Sequence, residues 1–364
     1  MTEDAAPLFT PVTIGDLTLA NRIAMAPLTR NRASEPNTVP SPLAPLYYRQ
    51  RASAGLVISE ATQISQQGQG YVWTPGCFTE PQVEAWSRVT DAVHAEGGHM
   101  FLQLWHVGRI SHTSLQPDGG APVAPSAIPA KTKTFIASGF ADVSPPRALE
   151  AGEIAGIVAD YAHAAACARR AGFDGVELHG ANGYLIDQFL RDGSNKRGDA
   201  YGGALDNRLR FALEVTDAVL KVWPATRVGF RMAPVSPGND IADSNPVATF
   251  GALVEALGAR NLAYIHVIEG AIQGARDIAA FDFLALRRAF SGAYIANNGY
   301  TRAMAIEAIR DNRADMIAFG RPFISNPDLV ERLRLDAPLA ESDRRTYYGG
   351  DGKGYTDYPD WKAA

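Results

Sequence analysis

Eight short apolar runs punctuate the chain: RIAMAP (22–27), GLVISE (55–60), HMFLQLW (99–105), GVELH (175–179), VGFRMA (228–233), YIHVIE (264–269), AYIAN (293–297) and MIAFG (316–320). They are nearly continuous in hydrophobicity, as strands of a parallel sheet buried on both faces should be. Between them lie stretches with helical spacing. EPQVEAWSRVTDAVHAEGG sets Val83, Trp86, Val89 and Val93 on one face and stops at Gly97. ALEAGEIAGIVADYAHAAACARRAGF repeats the pattern and stops at Gly172. Further helices are predicted near 203–222, 246–258, 278–289, 302–311 and 325–335.

Strands alternating with helices indicate an α/β fold with a parallel sheet. A doubly wound sheet would carry a glycine-rich turn after its first strand, and RIAMAPLTRNR has no glycine there. Eight β/α units in one pass favour the (β/α)8 TIM barrel, with active groups at the C-terminal ends of the strands. The chain is expected to form a single domain over 1–364. Two segments break the repeat. TPVTIGDLTL (10–19) resembles a β-hairpin turning at Gly15-Asp16 and is expected to cap the barrel bottom. The segment 112–148, after the third strand, holds six prolines and is expected to be an inserted lid or specificity element.

Composition adds mainly exclusions. The 364 residues are 46% hydrophobic and 20% charged, ordinary for a globular protein. The net charge of −5 comes without a basic block, so nucleic acid is not an expected partner. MTEDAAPLFTPVTIGDLTLANR lacks the apolar core of a secretory signal, and no apolar run reaches the length of a membrane span. Cys77 and Cys167 are too few for a disulfide framework or zinc knuckle. A cytoplasmic protein without membrane contact is the simplest expectation.

The polar residues at the strand ends carry the candidate chemistry. The first strand leads to Pro27, Leu28 and Thr29; the second to Glu60, Ala61 and Thr62; the third to Gln103, Trp105 and His106. The fourth opens ELHGANGYLIDQFL, which brings His179, Asn182 and Tyr184 to one strand-to-loop junction. The fifth carries Arg231, the seventh leads to Asn297, Asn298 and Gly299, and the eighth to Gly320 and Arg321. ANNGYT and FGRPFISNP sit where barrels commonly bind phosphate through backbone N–H groups. Ordinary turns using glycine for geometry would look the same. Gln103 and Arg231 suit the edge of a heterocycle, and they equally suit a core network closed by a carboxylate.

In order along the chain, NRIAMAPLTRNRA, GLVISEATQIS, LQLWHVGRIS, VELHGANGYLIDQFL, SNKRGDAYGGALDNRLRF, GFRMAP, AFGRPFISNPDLVERLR and GYTDYP resemble the motifs of the Old Yellow Enzyme family of flavin oxidoreductases, near its N-ethylmaleimide and pentaerythritol tetranitrate reductases. The resemblance implies noncovalent FMN at the top of the barrel. Pro27, Leu28, Thr29 and Ala61 would line the isoalloxazine, Gln103 and Arg231 would hold its pyrimidine, and Asn298, Gly299, Gly320 and Arg321 would take the phosphate. It also implies an NAD(P)H-dependent ene-reductase, with NADPH the expected reductant. The expected substrates are α,β-unsaturated carbonyls, maleimides and nitroalkenes, with nitrate esters or nitroaromatics as further candidates.

His179 and Asn182 would cradle a carbonyl or nitro oxygen, as an oxyanion hole does, and Tyr184 would protonate the α-carbon. Some family members have a histidine at the place of Asn182; either side chain donates. The family pattern puts Trp105 and Tyr348 in the substrate pocket with Thr29; Tyr71 is a further candidate to border that pocket, with core packing the favoured expectation for it. Family members include monomers and homodimers.

Two rival classes fit the chain less well. A Rossmann dehydrogenase needs GxGxxG after an early strand, and GGDGKG (349–354) lies near the C-terminus without a helix pattern after it. Nicotinamide would therefore reach the flavin through the substrate pocket, which implies ping-pong kinetics. A metal-dependent hydrolase could draw on His106, His112 and His179, but their spacing matches no metal motif.

Overall fold

The computed structural model describes residues 7–272, 274–278 and 280–361. Eight parallel strands close on themselves: β1 (Ile23–Met25), β2 (Leu56–Ile58), β3 (Met100–Trp105), β4 (Gly175–Gly180), β5 (Val228–Met232), β6 (Tyr264–Ile268), β7 (Ala293–Asn297) and β8 (Met316–Phe319). Neighbours in the chain are neighbours in the barrel, and β8 pairs with β1 at Phe319 and Met25 to close the ring.

Every strand is buried along almost its whole length, and alternate positions go to two different clusters. Met25, Val57, Leu102, Val176, Phe230, Val267, Ala296 and Ile317 pack outward with helix residues such as Trp86, Val89 and Tyr161. Ala24, Leu56, Phe101, Tyr264, Ile295 and Met316 pack inward with one another. This period of two on both faces explains the unbroken apolar runs. Gly229 is what makes room for the Tyr264 ring, since a Cβ there would lie 2.1 Å from it.

The helices are α1 (Ala44–Arg49), α2 (Glu80–His94), α3 (Ala151–Arg170), α4 (Leu185–Leu190), α5 (Leu205–Leu220), α6 (Pro246–Gly258), α7 (Phe283–Ala289), α8 (Arg302–Arg310), α9 (Arg321–Ser325) and α10 (Leu329–Leu335). After α3, the N–H of Phe173 bonds the Ala168 carbonyl at 3.2 Å and that of Gly172 bonds Arg169 at 3.2 Å, closing the left-handed cap expected there. The helix predicted near 325–335 is divided. Asn326, restricted by the proline after it, leaves the helical region, and α10 starts afresh at Leu329. The helix predicted near 278–289 begins only at Phe283, capped by the Asp282 side chain.

At the N-terminal end of the barrel, Val12–Ile14 and Leu17–Leu19 pair antiparallel, and Val12, Ile14, Leu17 and Leu19 join the inner cluster. Between β3 and α3, Lys133–Ile136 and Gly139–Asp142 form a second antiparallel pair. It is tied to the segment before Trp73: the Val72 N–H bonds the Phe135 carbonyl at 2.8 Å, and the Thr134 hydroxyl bonds the Gly70 carbonyl. Among the described residues no helix is long and apolar enough to cross a membrane.

Candidate active site

The inner face of the barrel changes character along its length. Toward the N-terminal end it is apolar; toward the C-terminal end it carries Gln103, Glu177, His179, Arg231, His266 and Asn297, all buried. Strand register brings these together, with Gln103 opposite Glu177, His179 opposite Arg231, and Arg231 opposite His266.

Beyond His179 the chain must turn quickly into α4. Asn182 takes φ +61° and Gly183 φ +74°; asparagine is among the few residues that accept the left-handed region. Asp187 accepts the Gly183 N–H at 2.9 Å and pairs with Arg191 at 2.6 Å, while Gln188 donates to the Gly183 carbonyl at 2.7 Å. Burial pushes the Asp187 carboxyl up, against Arg191 and the Gly183 N–H, which favour its ion. This buried network holds the turn that presents Asn182 and Tyr184.

His179 accepts the Ala181 N–H on Nδ1 at 3.3 Å. Burial first, then Arg231 and His266, keep its pKa well below the ordinary histidine value. The ring is therefore neutral, with its proton assigned to Nε2. Neither that N–H nor the Asn182 Nδ2 has a hydrogen-bond partner among the described residues, and the buried Asn182 Oδ1 is also unpaired. The Asn182 carbonyl is fixed by Asn239 at 2.8 Å.

Aromatic rings wall this space. Trp105 lies nearly parallel to His179 at 6.4 Å, and Tyr184 stands edge-on to both, 4.9 Å from Trp105 and 5.0 Å from His179. Tyr71 does more than the packing expected of it. Its ring stacks on Trp105 at 5.7 Å and its hydroxyl lies 3.2 Å from that of Tyr184. No local pattern distinguishes Tyr71 in sequence; the contact joins residues 113 positions apart. Burial raises the Tyr184 pKa, while Tyr71 and Asn239 draw it back. Tyr348 is 48% exposed, yet close enough to both hydroxyls to disfavour their ionisation. Its segment is pinned by Arg30, which donates to the Tyr347 carbonyl at 3.0 Å and the Gly354 carbonyl at 2.7 Å.

Ala61 lies against Trp105 in the same small apolar cluster, and Pro27, Leu28 and Thr29 are half-buried after β1. Beside them Glu60 accepts the Arg30 N–H at 3.1 Å, and burial pushes its pKa up to about 7 despite Arg30 and Arg32.

FMN finds matching groups here. Gln103 gives its Nε2 to Glu177 at 2.7 Å, leaving Oε1 buried and without a partner among the described residues. Arg231 gives Nη2 to Asn297 at 3.0 Å, leaving Nε buried and likewise without a partner among the described residues. One orphaned acceptor and one orphaned cationic donor suit a flavin pyrimidine, which offers an N–H beside acceptors. After β7, Gly299 holds φ +67°, and a Cβ there would meet nothing within 4 Å among the described residues. A Cβ on Gly320 would meet only Leu28, at 3.5 Å, so both backbones are open to a phosphate. Arg321 is exposed and makes no hydrogen bond or ion pair among the described residues. Asn298 differs: its side chain donates to the Glu269 and Ala271 carbonyls at 2.7 and 2.9 Å, so only its backbone is available.

The other candidate histidines lie elsewhere. His106 accepts the Gly108 N–H at 3.1 Å, and burial brings its pKa down to about 3. His112 accepts the Ser114 N–H at 3.1 Å. Among the described residues no group of three or more His, Cys, Asp or Glu could hold a metal ion.

Fold and site together define a barrel oxidoreductase that works with a flavin. Comparison with known proteins agrees: residues 7–339 match the NADH:flavin oxidoreductase / NADH oxidase family. The chain is 46% identical to 12-oxophytodienoate reductase 2 of Arabidopsis thaliana, covering 98% of this chain and 96% of that one. It superposes on morphinone reductase in complex with tetrahydroNAD with a TM-score of 0.92, at 50% identity over 97% of each chain. An old yellow enzyme homologue from Zymomonas mobilis superposes with a TM-score of 0.93, at 43% identity over 97% of this chain and 99% of that one. The chain belongs to the Old Yellow Enzyme family and is an NAD(P)H-dependent flavin enzyme.

Proposed function

We propose that the protein reduces activated C=C bonds: those of α,β-unsaturated carbonyls, maleimides and nitroalkenes, with nitrate esters and nitroaromatics as further substrates. One observation carries the reading. Among the described residues the His179 Nε2–H and the Asn182 Nδ2 have no partner, and the Tyr184 ring stands edge-on to His179 at 5.0 Å, so one small space offers a cradle for an oxygen and an acid for a carbon. The relatives named above, reductases of oxo compounds by their names, support the same substrate class.

His179 and Asn182 bind the carbonyl or nitro oxygen and draw electron density from the double bond. FMN, when bound, would supply the hydride for the β-carbon. Tyr184 then delivers its proton to the α-carbon; a phenol is protonated at neutral pH, and burial raises its pKa further. Gln103, Arg231, Pro27, Leu28, Thr29 and Ala61 would hold the ring system, with Gly299, Gly320, Arg321 and the Asn298 backbone available to the phosphate. Trp105, Tyr348 and the 112–148 segment limit what enters and exclude water. The nicotinamide, NADPH by preference, uses the same space before the substrate does.

An anaerobic visible spectrum tests the whole sequence. The flavin bands should bleach with NADPH, faster than with NADH, and return on adding 2-cyclohexenone. Bleaching without return overturns the substrate class; faster bleaching by NADH overturns the cofactor preference.

A further inference from the structure

A carboxylate that touches neither substrate nor proton path lies beneath the pocket. Glu177 stands on β4 two residues before His179, fully buried. Its Oε1 accepts from Gln103 at 2.7 Å; its Oε2 accepts from the Tyr264 hydroxyl at 3.1 Å and pairs with His266 Nδ1 at 2.9 Å. Burial alone would push its pKa up, but His266, Arg231 and Gln103 outweigh that and hold it below the ordinary glutamate value. Burying a charge among apolar strands is costly, and a well-packed apolar residue is often no less stable.

An ionised carboxylate only accepts, so each neighbour must turn a hydrogen toward it. That fixes the sense of the Gln103 amide, which would otherwise be free to present either end upward. With its NH2 turned to Glu177, its oxygen is the atom left buried and unpaired. The same carboxylate favours the charge of the neighbouring Arg231, whose Nε is the other unpaired atom.

We propose that Glu177 is a positioning residue for the flavin: it sets Gln103 as an acceptor for the pyrimidine N3–H, and its charge offsets that of Arg231 and so lowers the flavin's reduction potential. The inference rests on the FMN site described above. Neither effect follows from a role in packing alone.

The test is FMN affinity and midpoint potential of the purified holoenzyme and its variants. Glu177→Gln can turn an NH2 toward Gln103, which then offers its own NH2 to N3–H. FMN binding should weaken roughly 10- to 100-fold, the consequence of leaving buried donors unpaired. Removing the negative charge should also raise the potential, by about 30 mV for each tenfold preference gained by the reduced flavin. Glu177→Asp keeps the charge and loses the reach, so it should weaken binding while leaving the potential near wild type. An unchanged affinity in Glu177→Asp overturns the positioning role, and does so even if Glu177→Gln does not fold. A potential shift in Glu177→Asp as large as that in Glu177→Gln overturns the charge role. A wild-type chain that takes up no FMN overturns the site reading itself, a distinct result.

Discussion

Tyr71 offers the sharpest test of the proton-delivery geometry, because its hydroxyl lies 3.2 Å from that of Tyr184. While Tyr184 is neutral, that hydrogen bond is an ordinary one, contributing about 0.5–1.5 kcal/mol. As Tyr184 loses its proton to carbon it becomes a phenolate, and a hydrogen bond to a charged group contributes about 1.5–3 kcal/mol. The gain on the way to the transition state is therefore roughly 1–1.5 kcal/mol, or about a 5- to 12-fold rate difference. Only the part that grows counts toward catalysis. Tyr71→Phe keeps the ring stacked on Trp105 and removes the hydroxyl. In stopped-flow experiments, reoxidation of the reduced enzyme by 2-cyclohexenone should slow by that factor, while reduction by NADPH stays unchanged. In a Tyr184→Phe background the same substitution should do nothing. Equal slowing in both backgrounds would show that Tyr71 acts through shape alone, and the argument would fail.

Three further outcomes are expected. His179→Ala removes the Nε2–H donor and should weaken binding of phenols and enones by about 1–3 kcal/mol, while FMN stays bound; ligand titration followed by the flavin spectrum reads both, and untouched binding removes His179 from the cradle. Asp187→Ala leaves Arg191 buried without its ion partner and should cost about 3–5 kcal/mol in denaturant unfolding; a loss below about 1 kcal/mol, the range of a surface pair, would contradict the burial argument. Glu60 has a folded pKa of about 7 against an ordinary 4.5, so the folded state holds a proton that the unfolded state releases. Its contribution to stability is present below the lower value and falls by about 3 kcal/mol as pH rises through the higher one. Glu60→Gln should flatten the fall in unfolding midpoint between acid and mildly alkaline pH, and a slope equal to wild type refutes the shift.

Much of this architecture is a local property of the chain. A strand inside a closed barrel is buried on both faces, so each of the eight is written as a compact apolar run, and β4 or β7 can be found without knowing its neighbours. The same logic exposes the site: a polar residue at the end of such a run, as with Gln103, His179 and Arg231, is conspicuous because burial makes it costly. The left-handed turn at Asn182 and the caps at Gly97 and Gly172 are likewise short-range, set by which residues accept positive φ.

What the tertiary structure alone decided involves pairing across distance. That Glu177 faces Gln103 and takes its NH2 depends on β3–β4 register and on Tyr264 and His266 arriving from β6. The family resemblance implies Asn298 as a phosphate ligand; its side chain is held by the Glu269 and Ala271 carbonyls of a loop from the preceding unit, which leaves its backbone for that role. Tyr71 looked like one more packing aromatic. The backbone near it is tied to the 133–136 strand of the insertion, and that brings its hydroxyl to Tyr184. Local periodicity records how far a residue is buried and carries no record of which distant group it meets. Barrel closure and the docking of the insertion supply that, because they fix contacts between segments whose own patterns are indifferent to one another.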